Sequence, residues 1–385
     1  MTRPKNSELF HIFYRLSVVP RWEDFSPKYN DSTASHSYRV AVLSLLIGLI
    51  EKEKHNRKLD IERILGRAIF HDFNEVINGP IKHRTKKNKI VHNFINEIEK
   101  VASEDIASFV SKSLKGYFYD YIVNAEDGTE EGRIVDLADT FDVFLFSARE
   151  VKALNKIHFQ DFYRNSKKTL LNSEFKSIRE LVAEFEKNDS PTRKLLNAVL
   201  RMDQINRWSG RFNTFPDNDA THTFRAAAMG IFFALYEKEK HGIEIDLQRL
   251  VGKILFHDLP EAISGDVNGP VKHQSKEIKE AFEEYERKVA KDILKWVPDS
   301  IKGDIEDYLI YPKDATKEGI RVDIVDKIDG LLKCLLEMKR NSREYELAYK
   351  RQLDSIQGKF FDYPSIKFFL STILHDLYFA SEFEK

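Results

Sequence analysis

The stretch Phe256-His257-Asp258-Leu259-Pro260-Glu261 decides how this chain is read. It places an imidazole and a carboxylate, two unlike metal ligands, on adjacent residues, with a second carboxylate shortly after. A His-Asp dipeptide alone is a weak signal. This one occurs twice: Phe70-His71-Asp72-Phe73-Asn74-Glu75 lies 186 residues earlier. In each copy another histidine precedes the pair by 35 residues, His36 before His71 and His222 before His257. Arg21-Trp22 and Arg207-Trp208 stand ahead of those, each Trp 14 residues before its histidine. The same offset carries Asp60, Arg63 and Gly66 onto Asp246, Arg249 and Gly252. The chain is an internal duplication.

Length agrees with this. At roughly 100–200 residues per domain, 385 residues suggest two domains. The formal net charge of -1 gives no sign of a polyanion binder, so no nucleic-acid partner is expected. The single cysteine, Cys334, excludes an intrachain disulfide framework and suits a reducing compartment. No signal-type apolar run follows Met1-Thr2-Arg3-Pro4-Lys5, and the longest apolar run, Val40 to Ile50, falls short of the ~20 residues that span a bilayer. A cytoplasmic protein without a membrane partner is expected.

The hydrophobic spacing is helical throughout, and no convincing alternating run exists. Helices are predicted over 7–19, from His36 through Lys54, over 60–72, 89–115 and 131–155, and twice within 158–185. Glu186-Lys187-Asn188-Asp189-Ser190-Pro191 reads as the linker, so the two units are expected at 1–187 and 192–385. Pro260 suits the first turn of a new short helix. Later in each repeat the register drifts. Asn78-Gly79-Pro80 matches Asn268-Gly269-Pro270 at offset 190, as if repeat one lacked about Ser264-Gly265-Asp266-Val267. The same offset maps Asp139 onto Asp329.

Two histidines, the adjacent aspartate and a distant aspartate form a mixed nitrogen and oxygen set for a divalent ion. In repeat two these are His222, His257, Asp258 and Asp329. Such an ion acidifies water and neutralises phosphoryl oxygens. Glu261 would orient or deprotonate the water, and Asp266 would protonate the leaving oxygen or fix a sugar. Arg207 suits a phosphate and Trp208 a base or sugar face. Each has a plainer reading. A lone histidine in a helical protein is more often structural, but the repeated spacing reverses that for His222 and His257. Trp208 is as readily core packing as a ligand wall. Lys272 and His273 read mainly as loop surface. Arg84, Lys86, Lys87 and Lys89 read as a solvated face. His375-Asp376 is a decoy, because position 340, 35 residues earlier, is Arg.

The pattern resembles the HD-domain metal-dependent phosphohydrolases, and more closely the YfbR-like 5'-deoxynucleotidases. Repeat two carries Arg207-Trp208, His222, His257-Asp258, Glu261, Gly265-Asp266, Pro270-Val271-Lys272 and Asp329. The resemblance implies an all-α fold of two tandem HD-type domains. It implies hydrolysis of nucleoside 5'-monophosphates, preferably deoxy, with Mn, Co, Mg or Zn as the divalent ion. It assigns His222, His257, Asp258 and Asp329 to metal, Arg207, Trp208 and Lys272 to substrate, and Glu261 and Asp266 to catalysis. Repeat one keeps Arg21, Trp22, His36, His71, Asp72, Glu75, Pro80, Lys82 and Asp139 but loses the Gly-Asp, so altered or regulatory chemistry is open there. The family pairs as homodimers, so either an intrachain pseudo-dimer or a homo-oligomer is expected. An HD hydrolase of nucleoside triphosphates or cyclic nucleotides, and a nucleotide sensor without turnover, are the alternative readings.

Overall fold

The computed structural model describes residues 5–81, 85, 88, 90–267, 269–272, 274–340 and 342–379. Lys82, His83, Arg84, Lys86, Lys87, Lys89, Asn268 and His273 lie outside the described residues. Among those described, the chain forms helices and turns, with isolated bridges only at Pro20–Ser32 and Asn206–Asn218. The architecture is all-α, two tandem helical domains.

Paired caps set the helix starts. Ser32 accepts from the Ser35 amide and Asn218 from the Thr221 amide, opening helices Thr33–Glu53 and Asp219–His241. His36 and His222 therefore sit inside the first turns of these helices, not at their starts. Asp60 and Asp246 cap Ile61–Phe70 and Leu247–Phe256 in the same way. Thr129 and Thr316 cap Glu130–Lys152 and Lys317–Lys339 through the Gly132 and Gly319 amides. The offset between repeats is 186 for the first two pairs of caps and 187 for the third. The helix predicted over 7–19 ends at Arg15 and passes into a 3-10 turn, Leu16–Val18. The one predicted over 89–115 is two, His92–Ala107 and Lys115–Ile122. It breaks where the Ser108 amide turns back onto the Glu104 and Asp105 carbonyls.

The repeats share one hydrophobic core. Thr33–Glu53 packs on Asp219–His241. It is long and apolar enough to cross a membrane, but its apolar stretch is wholly buried within the protein. The first helix of each repeat lies against the opposite repeat. Asn6–Arg15 packs on Asp219–His241, and Pro191–Arg201 packs on Thr33–Glu53. Phe10 of the first helix meets Phe232 edge-on at 5.2 Å between ring centres, while Phe13 meets Phe73 at 5.8 Å.

Two glycines recur for a packing reason. A Cβ on Gly66 would lie 2.5 Å from the Tyr121 ring, and one on Gly252 would lie 2.6 Å from the Tyr308 ring. Both rings are buried, so neither can swing aside freely. Gly252→Ala is therefore expected to destabilise the protein by about 1–3 kcal/mol through overpacking. An unchanged thermal midpoint would show that the ring has room to move.

Candidate functional site

Each site is assembled from three helices. The first histidine lies in the opening turn of a long buried helix. The His-Asp pair follows the end of the next helix, and the last carboxylates come from a third. His257 caps Leu247–Phe256, and its Nδ1 donates to the Ile254 carbonyl at 2.7 Å. His71 does the same to the Ala68 carbonyl at 2.9 Å. These carbonyls are among the acceptors a helix end leaves open. With Nδ1 carrying the proton, Nε2 presents its lone pair to the site.

In repeat two, His222 Nε2 lies 3.3 Å from Asp326 Oδ1 and 3.5 Å from Asp258 Oδ2. His257 Nε2 lies 3.2 Å from Asp258 Oδ2. Repeat one matches: His36 Nε2 lies 3.1 Å from Asp139 Oδ1 and 3.4 Å from Asp72 Oδ2, and 3.3 Å from His71 Nε2. The structure thus brings together His36, His71, Asp72 and Asp139, and separately His222, His257, Asp258 and Asp326.

Asp329 is not where the sequence reading placed it. Its Oδ2 accepts from His222 Nδ1 at 2.7 Å, on the side of the ring away from Asp326. The repeat-one counterpart is Asp142, 2.7 Å from His36 Nδ1. The offset is therefore 187, carried on from Gly132 and Gly319, and it maps Asp139 onto Asp326 and Asp142 onto Asp329. The signal was present: Asp139 with Asp142, and Asp326 with Asp329, are the same i,i+3 pair on one helix face. A second correction concerns the shortened loop. Gly79 and Gly265 both end a one-turn helix at positive φ, +66° and +76°, at offset 186. Repeat one keeps this glycine but not the residue beside it, since Pro80 succeeds Gly79 where Asp266 succeeds Gly265.

The donor set fits a divalent ion. His222 Nε2 and His257 Nε2 are buried without a hydrogen-bond partner. The ligand atoms of His36, His71 and Asp72, and of His222, His257 and Asp326, all lie within 4.8 Å of one another. Separations of 3.1–3.5 Å approach the ~3 Å between neighbouring ligands on an ion with bonds of about 2.1 Å. Nδ1 bound to a carboxylate or carbonyl is the outer support a metal-binding imidazole uses.

The electrostatics also favour a cation. Burial and Arg207 push His222 down, but the neighbouring Asp326 and Asp329 carboxylates prevail and raise it to about 9. Burial opposes ionisation of Asp258, yet His257 and Arg207 hold it far below the usual carboxylate range. Burial pushes Glu261 up, and the Asp258 and Asp219 carboxylates add to this, to about 10. Burial and Asp72 raise Glu75 to about 7.

Around these cores the repeats differ. Arg207 Nη1 donates to Asp258 Oδ2 at 3.1 Å and to Asp219 Oδ1 at 3.3 Å. Arg21 reaches Asp72 at 3.3 Å, but the counterpart of Asp219 is Thr33, whose hydroxyl donates to Glu75 at 2.7 Å. Lys272 Nζ lies 3.5 Å from Glu261 and 2.7 Å from Glu286. Lys313, which sequence reasoning missed, lies 2.5 Å from Asp326 Oδ2. At the matching offset repeat one has Glu126, whose acidity is lowered by burial and by the Asp139 and Asp72 charges despite His71, with a pKa of about 8. Trp22 and Trp208 both hold positive φ, +66° and +60°, a strained backbone for a bulky residue. Trp22 stacks on Phe146 at 5.5 Å and is flanked by Phe25, Phe159 and Phe162. Trp208 meets Tyr345 at 5.5 Å, with the Arg211 guanidinium 5.9 Å from its ring. Asp266 is close enough to Asp219 to raise it. His375 and Asp376 lie on the last helix, outside both groups.

The family model described as 5'-deoxynucleotidase YfbR-like matches residues 8–188 and again 194–377. A 5'-deoxynucleotidase of Vibrio parahaemolyticus is 28% identical over 48% of this chain and 92% of its own length. One of Shewanella oneidensis is 29% identical over 45% of this chain and 87% of its own. A solved HD-domain phosphohydrolase from Listeria innocua is 27% identical, covers 48% of this chain and 88% of its own, and has a TM-score of 0.45.

The two aspartates of repeat two should separate by experiment. In protein whose repeat-one site is disabled by Asp72→Ala, Asp326→Ala is expected to abolish binding of one divalent ion. Asp329→Asn should weaken it about 10–100-fold without abolishing it. Metal content after dialysis against a graded chelator reads both; the reverse order would return Asp329 to the ligand set.

Proposed function

The chain belongs to the 5'-deoxynucleotidase YfbR-like family, and on that premise we propose that it removes the 5'-phosphate from (deoxy)nucleoside monophosphates, with repeat two as the principal catalytic site. The observation that carries this is the charge around the repeat-two group. His222, His257, Asp258 and Asp326 converge between two cations, Arg207 on Asp258 and Lys313 on Asp326. A phosphate dianion needs such flanking charge. Units 1–187 and 192–385 are taken as the two domains, and the single buried Cys334 supports a cytoplasmic setting.

His222, His257, Asp258 and Asp326 would hold the divalent ion. That ion supplies charge against the phosphoryl oxygens and makes water acidic enough to attack at neutral pH. Arg207 and Lys313 orient the phosphate, and Trp208 offers the flat face for a base or sugar. Glu261 Oε2 is buried without a hydrogen-bond partner, and it is the atom placed to hold or move a proton during the displacement. Asp266, whose charge reaches Asp219, follows Gly265 where repeat one has Pro80. In repeat one, Glu126 stands where repeat two has Lys313, so that site would retain an ion but lack the second cation for phosphate.

Phosphate release from a panel of nucleoside and deoxynucleoside monophosphates, with Mn, Co, Mg or Zn added singly to stripped protein, tests the reading. Asp258→Ala is expected to reduce release to background and Asp72→Ala to leave most of it. Release from dATP but not dAMP would move the substrate to triphosphates. Tight nucleotide binding with no release would make the chain a sensor.

Two further variants read the roles of single residues. Glu261→Gln is expected to lower kcat about 10²–10⁴-fold with metal content unchanged. Lys313→Met is expected to raise KM about tenfold, the loss of one charge-assisted contact; an unchanged KM would remove Lys313 from phosphate binding.

A further inference from the structure

The turn at the end of the first helix of repeat one does not serve its own site. Tyr14 is buried, and its hydroxyl shares its proton between Asp329 Oδ1 at 2.7 Å and the Asp329 carbonyl at 2.8 Å. Asp329 Oδ2 in turn accepts from His222 Nδ1 at 2.7 Å. Three residues on, Ser17 Oγ accepts from Arg225 Nη1 at 3.0 Å. The same guanidinium holds Asp329 through Nε at 2.6 Å and Nη2 at 2.9 Å, and it lies 4.6 Å from the centre of the Tyr14 ring. Repeat-one residues thus complete the support behind the first histidine of repeat two.

The reverse contact exists and is chemically different. Asp203 of repeat two accepts from Arg39 Nη1 at 3.1 Å and from Arg149 Nη2 at 2.8 Å. Arg39 Nε in turn grips Asp142 at 2.5 Å, behind His36. Ser17 and Asp203 are counterparts at offset 186, and so are Tyr14 and Leu200. The repeat-one site is thus braced by a charged residue from repeat two. The repeat-two site is braced by two hydroxyls from repeat one, and among the described residues only there does a foreign side chain touch the carboxylate that orients the histidine.

We infer that Tyr14 is a positioning residue for the metal group of repeat two, so that the catalytic site of one repeat is completed by the other. The inference rests on the proposed metal-binding reading. Asp329 has two oxygens to fill. Tyr14 and Arg225 Nε share Oδ1, while Arg225 Nη2 and His222 Nδ1 share Oδ2, so the ring is held with Nε2 toward Asp326. Without the hydroxyl, Asp329 loses a buried donor and gains freedom to turn, and the imidazole turns with it. The Tyr14 ring remains useful without its hydroxyl, since it packs on Arg225. Tyr14→Phe therefore isolates what the hydroxyl contributes at Asp329.

The test titrates Co²⁺ into full-length stripped protein, reading its visible absorption in competition with a chelator. Two parents separate the sites: Asp72→Ala leaves only repeat two, and Asp258→Ala leaves only repeat one. Adding Tyr14→Phe is expected to weaken Co²⁺ binding about tenfold in the first parent, the lower end of the contribution of outer-shell partners, and to leave it unchanged in the second. Equal affinity with and without the hydroxyl in the first parent would overturn the inference, and so would equal weakening in both, which is the signature of general destabilisation. If Tyr14→Phe does not fold, Ser17→Ala reads the same link through Arg225, with the same site-selective weakening expected. Absence of Co²⁺ binding to either parent would instead sink the metal reading on which the inference stands.

Discussion

Arg225 is fully buried with its guanidinium on Asp329 and Asp217, and Arg39 is equally buried on Asp142, Asp31 and Asp203. Buried charge is tolerated only when its partners are close and its donors satisfied; removing one partner of such a pair costs about 3–5 kcal/mol. Here the pairing also sets direction. Each guanidinium fixes one carboxylate, that carboxylate fixes the Nδ1 face of a histidine, and Nε2 is left facing the site. A helix interior would otherwise bury these imidazoles as ordinary core residues. The arginine makes them usable as ligands, and the position of every other group in the site is measured from them.

The same arginines join the two halves of the chain. Their outermost donors end on residues of the opposite repeat, and the first helix of each repeat packs on the other's long buried helix. One core runs through both. Covalent tandem linkage therefore holds two copies in a fixed pair, and it allows the copies to diverge. Thr33 opposite Asp219, Glu126 opposite Lys313 and Pro80 opposite Asp266 all change the charge or shape around an otherwise shared His-Asp cluster. A symmetric dimer of identical chains could not place a lysine in one site and a glutamate in the other.

Much of this was legible in the residues. The duplicated 35-residue spacing identified the first histidine, and the His-Asp pair and Arg-Trp came with it, because each is a short local pattern that the duplication repeats. The helices were legible because their caps and apolar periodicity are local too. The aspartate that faces Nε2 was misassigned for an equally local reason. In a region where loop lengths drift, two aspartates one turn apart on the same helix offer the same side chain twice. Choosing between Asp326 and Asp329 by register alone amounts to choosing which caps to align.

The sequence by itself determined that the chain is helical, that it is two copies of one unit, and which residues of each copy end a helix with histidine and aspartate. Those features arise from interactions within a few residues, namely hydrogen bonds to caps, i,i+3 and i,i+4 faces, and turn-forming glycine and proline. Only the tertiary structure decided which carboxylate meets Nε2 and which meets Nδ1, and that Lys313 flanks one site where Glu126 flanks the other. It alone decided that Tyr14 stands behind the site of the opposite repeat. These depend on groups more than 100 residues apart, from Arg225 to Asp329 and from Tyr14 to Asp329, whose meeting is set by how the shared core packs.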